Sequence, residues 1–198
     1  MQTETKVVGL ILAGGQSSRM QGHDKSTLLL HGQSMMAHVV ERLLPQVAAV
    51  WISSNNIAAH QRFGIPVFND APALVGKGPL AGLVSFADYV PSDATHIQLL
   101  PCDTPFIPRD LTQRLLTQSL RHQASVYPCS DGRAHYACAL LRLEDLSIAQ
   151  QCALRDERSL KNWLTRAGAQ AVDGFISDDF LNINTPEQLS AANFNEPS

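Results

Sequence analysis

The sequence has few charged residues and no cluster of one sign, which limits the partners it is suited to bind. Of its 198 residues only 17% are charged, and the 15 Lys and Arg are outnumbered by 18 Asp and Glu, giving a net charge of −3. The sequence contains no run of basic residues of the kind that binds a polynucleotide backbone. No apolar run approaches the ~20 residues of a membrane-spanning helix. Nucleic-acid and membrane partners are therefore disfavoured, and any anion site has to be local.

Patterns typical of disulfide frameworks and zinc sites are missing too. The four cysteines, Cys102, Cys129, Cys138 and Cys152, form no Cys-x-x-Cys pair. In a chain of this size they are typical of reduced thiols in a cytosolic protein. The seven histidines are scattered singly, without His-Glu-x-x-His spacing. We therefore expect a cytoplasmic protein without a dedicated zinc centre.

Two widespread phosphate-binding motifs are also absent. A Walker loop requires Gly-x4-Gly-Lys-Ser/Thr, and here Gly14 is followed five positions later by Arg19. The dinucleotide fingerprint Gly-x-Gly-x-x-Gly does not occur in this stretch either. A nucleotide site in this chain needs a different loop.

Such a loop follows the first apolar run. Val7–Leu12 is continuously apolar, as in a strand covered on both faces, and it leads into Gly14-Gly15. Adjacent glycines let the backbone turn sharply and present consecutive N–H groups to a phosphate chain. Arg19 and Lys25 add positive charge nearby. A bare Gly-Gly turn is usually only a turn, but this combination favours a nucleotide-triphosphate site.

The order of apolar and amphipathic segments predicts an α/β fold in one domain, residues 1–198. Strands are predicted at 7–12, 48–53, 65–68 and 95–100, and helices at 35–44, 57–63, 79–89 and 108–122. This alternation indicates a three-layer, mostly parallel Rossmann-like sheet with helices on both faces. Later segments at 124–127 and 137–143 predict an antiparallel addition at one edge, followed by helices at 144–153, 159–167 and 185–194. A strand at 169–172 and an extended piece at 180–183 complete the prediction.

Ligands of such folds bind at the carboxyl ends of the strands. That rule places Gly14-Gly15, residues 53–55, Asp70 and Asp103 on one rim. Asp103 leaves the end of a buried strand in the turn Pro101-Cys102-Asp103-Thr104-Pro105, where its carboxylate is suited to Mg²⁺ that keeps waters and substrate phosphates as its other ligands. The alternative, a cap on the next helix, is disfavoured because that helix is expected to begin only at Pro108.

Weaker candidates surround this rim. Asp70 contacts the nucleotide or the metal, or simply forms an Asx-turn. Ser53 or Asn55 contacts a base edge, or both belong to a turn. Gly78-Pro79 marks a loop-to-helix junction where a flat base could approach the backbone, and close helix–sheet packing at Gly82 is the alternative.

Near the end of the chain, Asn182-Ile183-Asn184 precedes the capping sequence Thr185-Pro186-Glu187. The two amides, Asn182 and Asn184, either hold the phosphate of an acceptor or close the turn before the last helix.

Taken together, these motifs resemble the molybdenum cofactor guanylyltransferases in order and spacing, from about residue 8 to residue 189. The resemblance rests on Leu12-Ala13-Gly14-Gly15 with Arg19-Met20 and Asp24-Lys25, Gly78-Pro79-Leu80-Ala81-Gly82, Cys102-Asp103-Thr104-Pro105, and Asn182-Ile183-Asn184-Thr185-Pro186. The glycine loop alone indicates only the wider nucleotidyltransferase superfamily, whose fold is that of the nucleotide-diphospho-sugar transferases.

The resemblance implies that GTP reacts with the phosphate of molybdopterin to give a pterin guanine dinucleotide and pyrophosphate. It implies that Leu12, Ala13, Gly14, Gly15 and Lys25 bind GTP, that Asp70 contacts the nucleotide, and that Asp103 holds Mg²⁺. The nucleotide-binding part would span about 7–107 and the acceptor-binding part about 108–194. Molybdenum-insertion proteins and apo-molybdoenzymes or their chaperones are the implied protein partners.

From the residues we expect Arg19, Lys25 and Asp103 to be the catalytic groups, since together they neutralise the triphosphate. Ser53 stands where the family often has an asparagine that contacts the nucleotide. In this chain that contact therefore passes to Asn55 or is lost. Two alternatives remain open: a cytidylyl- or sugar-phosphate nucleotidyltransferase, and a non-catalytic module that binds the nucleotide and delivers the cofactor.

Overall fold

A computed structural model gives the fold and describes residues 4–14, 19–20, 23–155 and 157–194, with the backbone alone at 19–20, 23–25, 186 and 194. The strands are β1 (Val7–Leu12), β2 (Arg19–Met20), β3 (His23–Asp24), β4 (Leu29–Leu30), β5 (Gln33–Ser34), β6 (Val50–Ser53), β7 (Val67–Phe68), β8 (His96–Pro101), β9 (Val126–Ser130), β10 (Arg133–Ala134), β11 (Leu140–Arg142) and β12 (Gln170–Val172).

In the described residues the main sheet has eight strands, in the order β10-β9-β11-β8-β1-β6-β7, with β12 also pairing with β9. Strands β8, β1, β6 and β7 run parallel to one another. Strand β11 pairs antiparallel with β8 and β9, and β10 forms an antiparallel hairpin with β9. The prediction of a mostly parallel sheet with an antiparallel addition at one edge is confirmed.

Helices cover both faces of the sheet. They are α1 (Met35–Leu43), α2 (Ile57–His60), α3 (Pro79–Ser85), α4 (Leu111–His122), α5 (Leu146–Leu154), α6 (Leu160–Arg166) and α7 (Pro186–Phe194). None of the helices within these described ranges is both long and apolar enough to cross a membrane.

Strand β1 lies at the centre of the core, and all six of its residues are buried. Successive side chains of a strand point to opposite faces. Val7 and Ile11 accordingly pack in the cluster that contains the apolar stripes of α1 and α4. Leu10 and Leu12 pack in the other cluster, with α3, α5 and α6. The continuous apolar run of the sequence is thus explained by a strand covered on both sides.

The fourth helix begins later than predicted. Its first residue is Leu111, not Pro108, and its start is held by a side chain distant in sequence. The Gln46 side chain accepts a hydrogen bond from the backbone N–H of Thr112 at 2.9 Å and donates one to the Pro108 carbonyl at 3.0 Å. Because this cap comes from 66 residues away, local sequence signals place the helix start wrongly.

Two other predictions also require correction. The segment predicted as a strand at 137–143 is a 3₁₀ turn (Tyr136–Cys138) followed by the shorter β11. The predicted extended piece at 180–183 contains the end of a 3₁₀ turn, Ser177–Phe180. The Asp179 carboxylate accepts a hydrogen bond from the N–H of Ile176 at 3.3 Å and so closes that turn.

A third, smaller cluster attaches the end of the chain to the hairpin formed by β4 and β5. Leu30, Met35, Ile183 and Ala192 are buried together there. The predicted capping box of the last helix is present, with Thr185 and Gln188 exchanging side chain–backbone hydrogen bonds. This packing holds the turn before α7 against the first half of the chain.

Candidate active site

The last residues of four parallel strands lie in one row, which we call the carboxyl edge. Leu12 pairs with Ser53 on one side and with Pro101 on the other, and Ser53 pairs in turn with Phe68. Backbone hydrogen bonds continue the row, from the Ala13 N–H to the Ser53 carbonyl at 2.8 Å and from the Cys102 N–H to the Leu12 carbonyl at 3.1 Å. The segments that leave these strands carry Gly14, Asn55, Asp70 and Asp103, as the sequence predicts.

Part of the glycine loop lies outside the described residues. Gly15 belongs to that part, as do the side chains of Arg19 and Lys25. The described backbone shows Arg19 in β2, paired antiparallel with Asp24 of β3, and Lys25 at the start of a 3₁₀ turn. Gly14 is described, and a Cβ added to it would lie 3.9 Å from Nδ2 of Asn55. Asn55 therefore lies next to the beginning of this loop.

Asp70 is the centre of a polar cluster at the carboxyl edge. Ser53 Oγ donates a hydrogen bond to Asp70 Oδ1 at 3.3 Å, and Asn55 Nδ2 donates one to Oδ2 at 3.4 Å. Partial burial raises the pKa of the Asp70 carboxyl, and the two hydrogen bonds lower it by less. The cluster joins the three residues whose roles the sequence leaves open.

Within this cluster Ser53 and Asn55 are exposed to very different degrees. Ser53 is only 2% exposed, whereas the Asn55 side chain is exposed at the surface. The buried Ser53 hydroxyl thus supports Asp70 from the protein interior, and the exposed Asn55 side chain is the group that can contact a ligand.

Gly82 of α3 explains the burial of Ser53. A Cβ at this position would lie 2.4 Å from Ser53 Oγ and 2.9 Å from Leu12 Cδ2. Only a glycine lets α3 pack this closely on β1 and β6. Of the two sequence interpretations of this motif, close helix–sheet packing holds at Gly82.

Asp103 lies in the turn that follows β8, and the motif near the end of the chain is bonded to that turn. The N–H of Ile183 donates to the Asp103 carbonyl at 3.1 Å. Thr104 Oγ1 donates to Oδ1 of Asn182 at 2.6 Å. The structure therefore brings Asn182 beside Asp103, although 79 positions separate them in sequence.

Asn184 has a different setting from Asn182. Its side chain is exposed, and its backbone N–H donates to Oε1 of Gln188 at 2.7 Å as part of the start of α7. Of the two amides, Asn182 is the one that borders the cavity described below.

The residues around Asp103 fit a hard divalent cation such as Mg²⁺. A carboxylate oxygen is a ligand that Mg²⁺ prefers. Burial and the charge of Asp103 raise the pKa of the nearby Cys138 thiol far above its usual range, so this sulfur stays protonated and does not act as a thiolate ligand. No three His, Cys, Asp or Glu in the described part of the chain are grouped to hold a metal by themselves. This donor set suits a cation shared between one carboxylate and substrate phosphates.

A cavity of about 410 Å³, which we call the basic cavity, opens beside this turn. Among the described residues that line it, three are cationic, Arg133, Arg158 and Lys161, and none is acidic. Its other lining residues are Pro79, Pro101, Ala134, His135, Tyr136, Ala137, Cys138, Ser159, Leu160, Phe180 and Asn182.

Of this lining, sequence reasoning predicts Pro79 and Asn182 as site residues and misses the cationic ones. A usable signal was present, because Arg133 and His135 are two positions apart after the Asp131-Gly132 turn, and residues at that spacing share one face of an extended chain. Arg158 and Lys161 come from a different segment, and only the folded chain shows that they face the same space.

Comparison with known proteins identifies the chain's relatives. A family model described as the MobA-like NTP transferase domain matches residues 9–172. The molybdenum cofactor guanylyltransferase of Shewanella frigidimarina (strain NCIMB 400) is 37% identical over 187 residues, which is 92% of this chain and 93% of that protein. The enzyme of the same name from Rhodobacter capsulatus is 37% identical over 188 residues, covering 94% and 95%.

Solved structures confirm the fold. Molybdopterin-guanine dinucleotide biosynthesis protein A from Archaeoglobus fulgidus superposes with a TM-score of 0.75 at 17% identity, covering 94% of this chain and 97% of that one. A CMP:2-keto-3-deoxy-manno-octonic acid synthetase complexed with CTP gives 0.72 at 20% identity, covering 96% and 98%. With its fold, its motifs and its relatives in agreement, the chain belongs to the molybdenum cofactor guanylyltransferase family.

Proposed function

We propose that this protein transfers GMP from GTP to the phosphate of molybdopterin, with release of pyrophosphate. The observation that carries the proposal is the arrangement at the carboxyl edge in a chain of this family. Gly14, Asp70 and Asp103 follow neighbouring parallel strands, and Asn182 is bonded to the turn that holds Asp103. This arrangement supports a nucleotide site that meets the acceptor half of the chain at one place.

The nucleotide would be held by backbone and side-chain groups of residues 7–107. In this proposal the segment Leu12-Ala13-Gly14-Gly15, together with Arg19 and Lys25, binds the triphosphate. Because the Ala13 N–H already donates to the Ser53 carbonyl, the N–H groups of the two glycines are the phosphate donors. Asn55 contacts the base, with its position fixed by Asp70, which is in turn supported by Ser53. Gly78-Pro79 lets the nucleotide approach the start of α3 closely, since Gly78 has a φ of 77°.

Catalysis in this scheme consists of positioning and charge neutralisation. The acceptor phosphate attacks the α-phosphorus of GTP, the bond to the bridging oxygen breaks, and pyrophosphate leaves with that electron pair. No general base is required because the attacking phosphate is already an anion. Asp103 would hold Mg²⁺, which when bound neutralises phosphate oxygens. Arg19 and Lys25 would offset the charge that develops on the leaving pyrophosphate.

The acceptor would bind to residues 108–194, and the chain would act as one domain. Asn182 would orient the acceptor from the side of the Cys102-Asp103-Thr104-Pro105 turn. We place the protein in the cytoplasm, with molybdenum-insertion proteins and apo-molybdoenzymes or their chaperones as its protein partners. Nucleic acid and membrane have no part in this proposal.

Pyrophosphate release tests the proposed function. The full chain is incubated with Mg²⁺ and GTP, CTP or ATP, each with and without molybdopterin. We expect release only with GTP and molybdopterin together. Release that is faster with CTP would replace the guanylyltransferase with a cytidylyltransferase. GTP binding without any release, in the presence of acceptor and Mg²⁺, would favour a delivery module.

A further inference from the structure

The hairpin of β4 and β5 has to be held in place from outside, because it is separate from the main sheet. Each strand has two residues, and in the described part of the chain the two strands pair only with each other. The turn between them is tight, with φ values of 48° at His31 and 80° at Gly32. A two-stranded hairpin is at best marginally stable by itself in water. Its position therefore depends on the groups that pack on it.

Helices α1 and α7 both bind this hairpin. Nε2 of His38 in α1 donates a hydrogen bond to the Leu30 carbonyl at 2.8 Å. The N–H of His31 donates one to Oδ1 of Asn193 in α7 at 2.6 Å. Helix α1 directly follows the hairpin, whereas Asn193 reaches it from 162 positions away. The last helix thus fixes a segment near the start of the chain.

The third cluster includes a residue that closely follows each of two proposed catalytic groups. Leu28 comes three positions after Lys25, and Phe106 comes three positions after Asp103. Both side chains pack against the buried members of the cluster, one of which is Leu30. Three residues span at most about 11 Å even when fully extended. A displacement of the cluster would therefore move the backbone at both catalytic positions.

Ile183 connects the Asn182 motif to the same cluster. Its side chain is fully buried there, and its N–H donates to the carbonyl of Asp103 at 3.1 Å. Leu189 and Ala192 of α7 pack in the cluster as well. One set of apolar contacts thus joins α7 to the segments that carry the proposed catalytic groups.

Helix α7 contributes to no other part of the core that the structure describes. The two larger clusters draw on α1, α3, α4, α5 and α6, and neither contains a described residue of α7. The apolar contacts of α7 are therefore concentrated on the hairpin and on the turns that carry Asp103 and Asn182. Such a placement indicates a local role in positioning rather than a general role in stability.

We propose that α7 acts as a clamp that positions the catalytic groups, with Leu189 and Asn193 holding the hairpin of β4 and β5 so that the backbone at Lys25 stays aligned with that at Asp103. This deepens the function proposed above and rests on it for the identity of the reaction. A misplacement of about 1 Å in a preorganised site can cost roughly a hundredfold in rate. Loosening of the clamp should therefore lower turnover more than it weakens substrate binding.

Steady-state kinetics test the hydrogen bond of the clamp. Asn193→Ala removes the acceptor of the His31 N–H, and Asn193→Asp keeps an oxygen in the same place. We expect N193A to lower the kcat of pyrophosphate release roughly fivefold, equivalent to about 1 kcal/mol for one hydrogen bond, and to leave the KM for GTP and for molybdopterin within about twofold. N193D should restore kcat. Ser190→Ala, at an exposed position of the same helix, is the matched control and should change none of these constants.

Two kinetic results would overturn the positioning role. One is a kcat for N193A equal to that of wild type, and the other is a loss that N193D does not restore. Urea denaturation of the same variants accompanies the kinetics, because a purely structural role would lower the free energy of unfolding and leave the kcat of the folded protein unchanged.

Hydrogen–deuterium exchange measures the clamp without any substrate. Leu189→Ala removes apolar side-chain atoms from the third cluster, whereas Leu189→Met keeps a side chain of similar volume. We expect the backbone N–H groups of residues 26–36 and 101–107 to exchange at least roughly threefold faster in L189A than in wild type, and those of β1 and β6 to exchange at the wild-type rate. L189M should match wild type throughout. Equal acceleration in β1 and β6, or no acceleration in the hairpin, overturns the proposal.

The two experiments together separate the clamp from the proposed function. If L189A accelerates exchange in the hairpin and in the Asp103 turn while wild-type protein releases no pyrophosphate from any nucleotide, the clamp stands and the proposed function fails. If wild type and N193A release pyrophosphate with the same kcat, the proposed function stands and the clamp fails.

Discussion

Among the described side chains, the two halves of the sheet bring opposite charges to the site, although the proposed phosphate-binding cations Arg19 and Lys25 belong to the first half. The parallel half ends in carboxylates, Asp70 and Asp103, beside the glycine loop. The antiparallel half contributes the hairpin of β9 and β10 with Arg133 and His135, which border the basic cavity. The first arrangement suits a nucleotide that arrives with a cation, and the second suits a bare anion.

The largest effect should come from the acidic half. Asp103→Asn removes one negative charge and keeps the shape of the side chain, so we expect turnover to fall by roughly a hundredfold or more, as for the loss of one preorganised electrostatic group at a transition state. The measurement is pyrophosphate release at saturating GTP and molybdopterin, together with circular dichroism to show that the fold persists.

Asp88→Asn is the matched control for this change. Asp88 is exposed and lies in the 3₁₀ turn after α3, away from the carboxyl edge. It should retain the turnover of the wild type. If D103N also retained it, the acidic half would not be the catalytic half, and the comparison between the two halves would fail.

The next largest effect should come from the packing beneath the acidic half. Gly82→Ala places a methyl group against Ser53 and Leu12, and we expect the free energy of unfolding to fall by about 1 kcal/mol. Overpacking costs about 1–3 kcal/mol, which exceeds the gain of about 1 kcal/mol in helix propensity. Urea denaturation measures the loss, and the KM for GTP should rise because Ser53 supports Asp70.

A double-mutant cycle shows whether Ser53 is the group that is displaced. In S53A/G82A the closest clash, at 2.4 Å, no longer exists. The double variant should therefore be less destabilised than the sum of the two single changes. If the effects of the two changes on the free energy of unfolding were simply additive, the methyl group at position 82 would clash with a residue other than Ser53.

A smaller effect is expected in the pH dependence of stability at Asp70. Its pKa in the folded state is raised above the ordinary value of 3.8, so the native protein binds more protons than the unfolded chain above that pH. Asp70 therefore destabilises the fold increasingly as pH rises from about 4 through its raised pKa. The stability of D70N minus that of wild type should grow over this window and then stay constant. A difference that is independent of pH would contradict the raised pKa.

Much of the fold can be predicted from sequence where the signal is local. The buried run of β1 and the start of α1 at residue 35 agree with prediction, and Ser34 caps that start by accepting a hydrogen bond from the Ala37 N–H. The position of Asp103 just after a buried strand could also be predicted, because the end of an apolar run is visible in the local sequence.

The sequence-based predictions fail where residues distant in sequence determine the local structure. Helix α4 begins at Leu111 because the side chain of Gln46, from another segment, accepts a hydrogen bond from the Thr112 N–H. The basic cavity combines Arg133 with Lys161 across the fold, and short stretches of sequence do not report such proximity. Local patterns thus predict the parallel half well and the cavity poorly.

The smallest effect should come from His96, which lies at the opposite end of β8 from the site. Burial, together with the charge of Arg142, lowers its pKa below 6.5, so the native state binds fewer protons than the unfolded chain there. Stability should decline as pH falls below about 6.5, and His96→Gln should flatten that decline without changing the KM for either substrate. Urea denaturation across pH 5–8 measures it, and a KM change in H96Q would break the separation between this end and the carboxyl edge.

The fate of the α-phosphate of GTP tests the central claim most directly. The chain is incubated with α-³²P-labelled GTP, Mg²⁺ and molybdopterin, and the labelled products are separated. The account predicts that the label appears in a pterin guanine dinucleotide, in an amount equal to the pyrophosphate released. Label that stays in GTP, while GTP binds the protein with acceptor present, would contradict it.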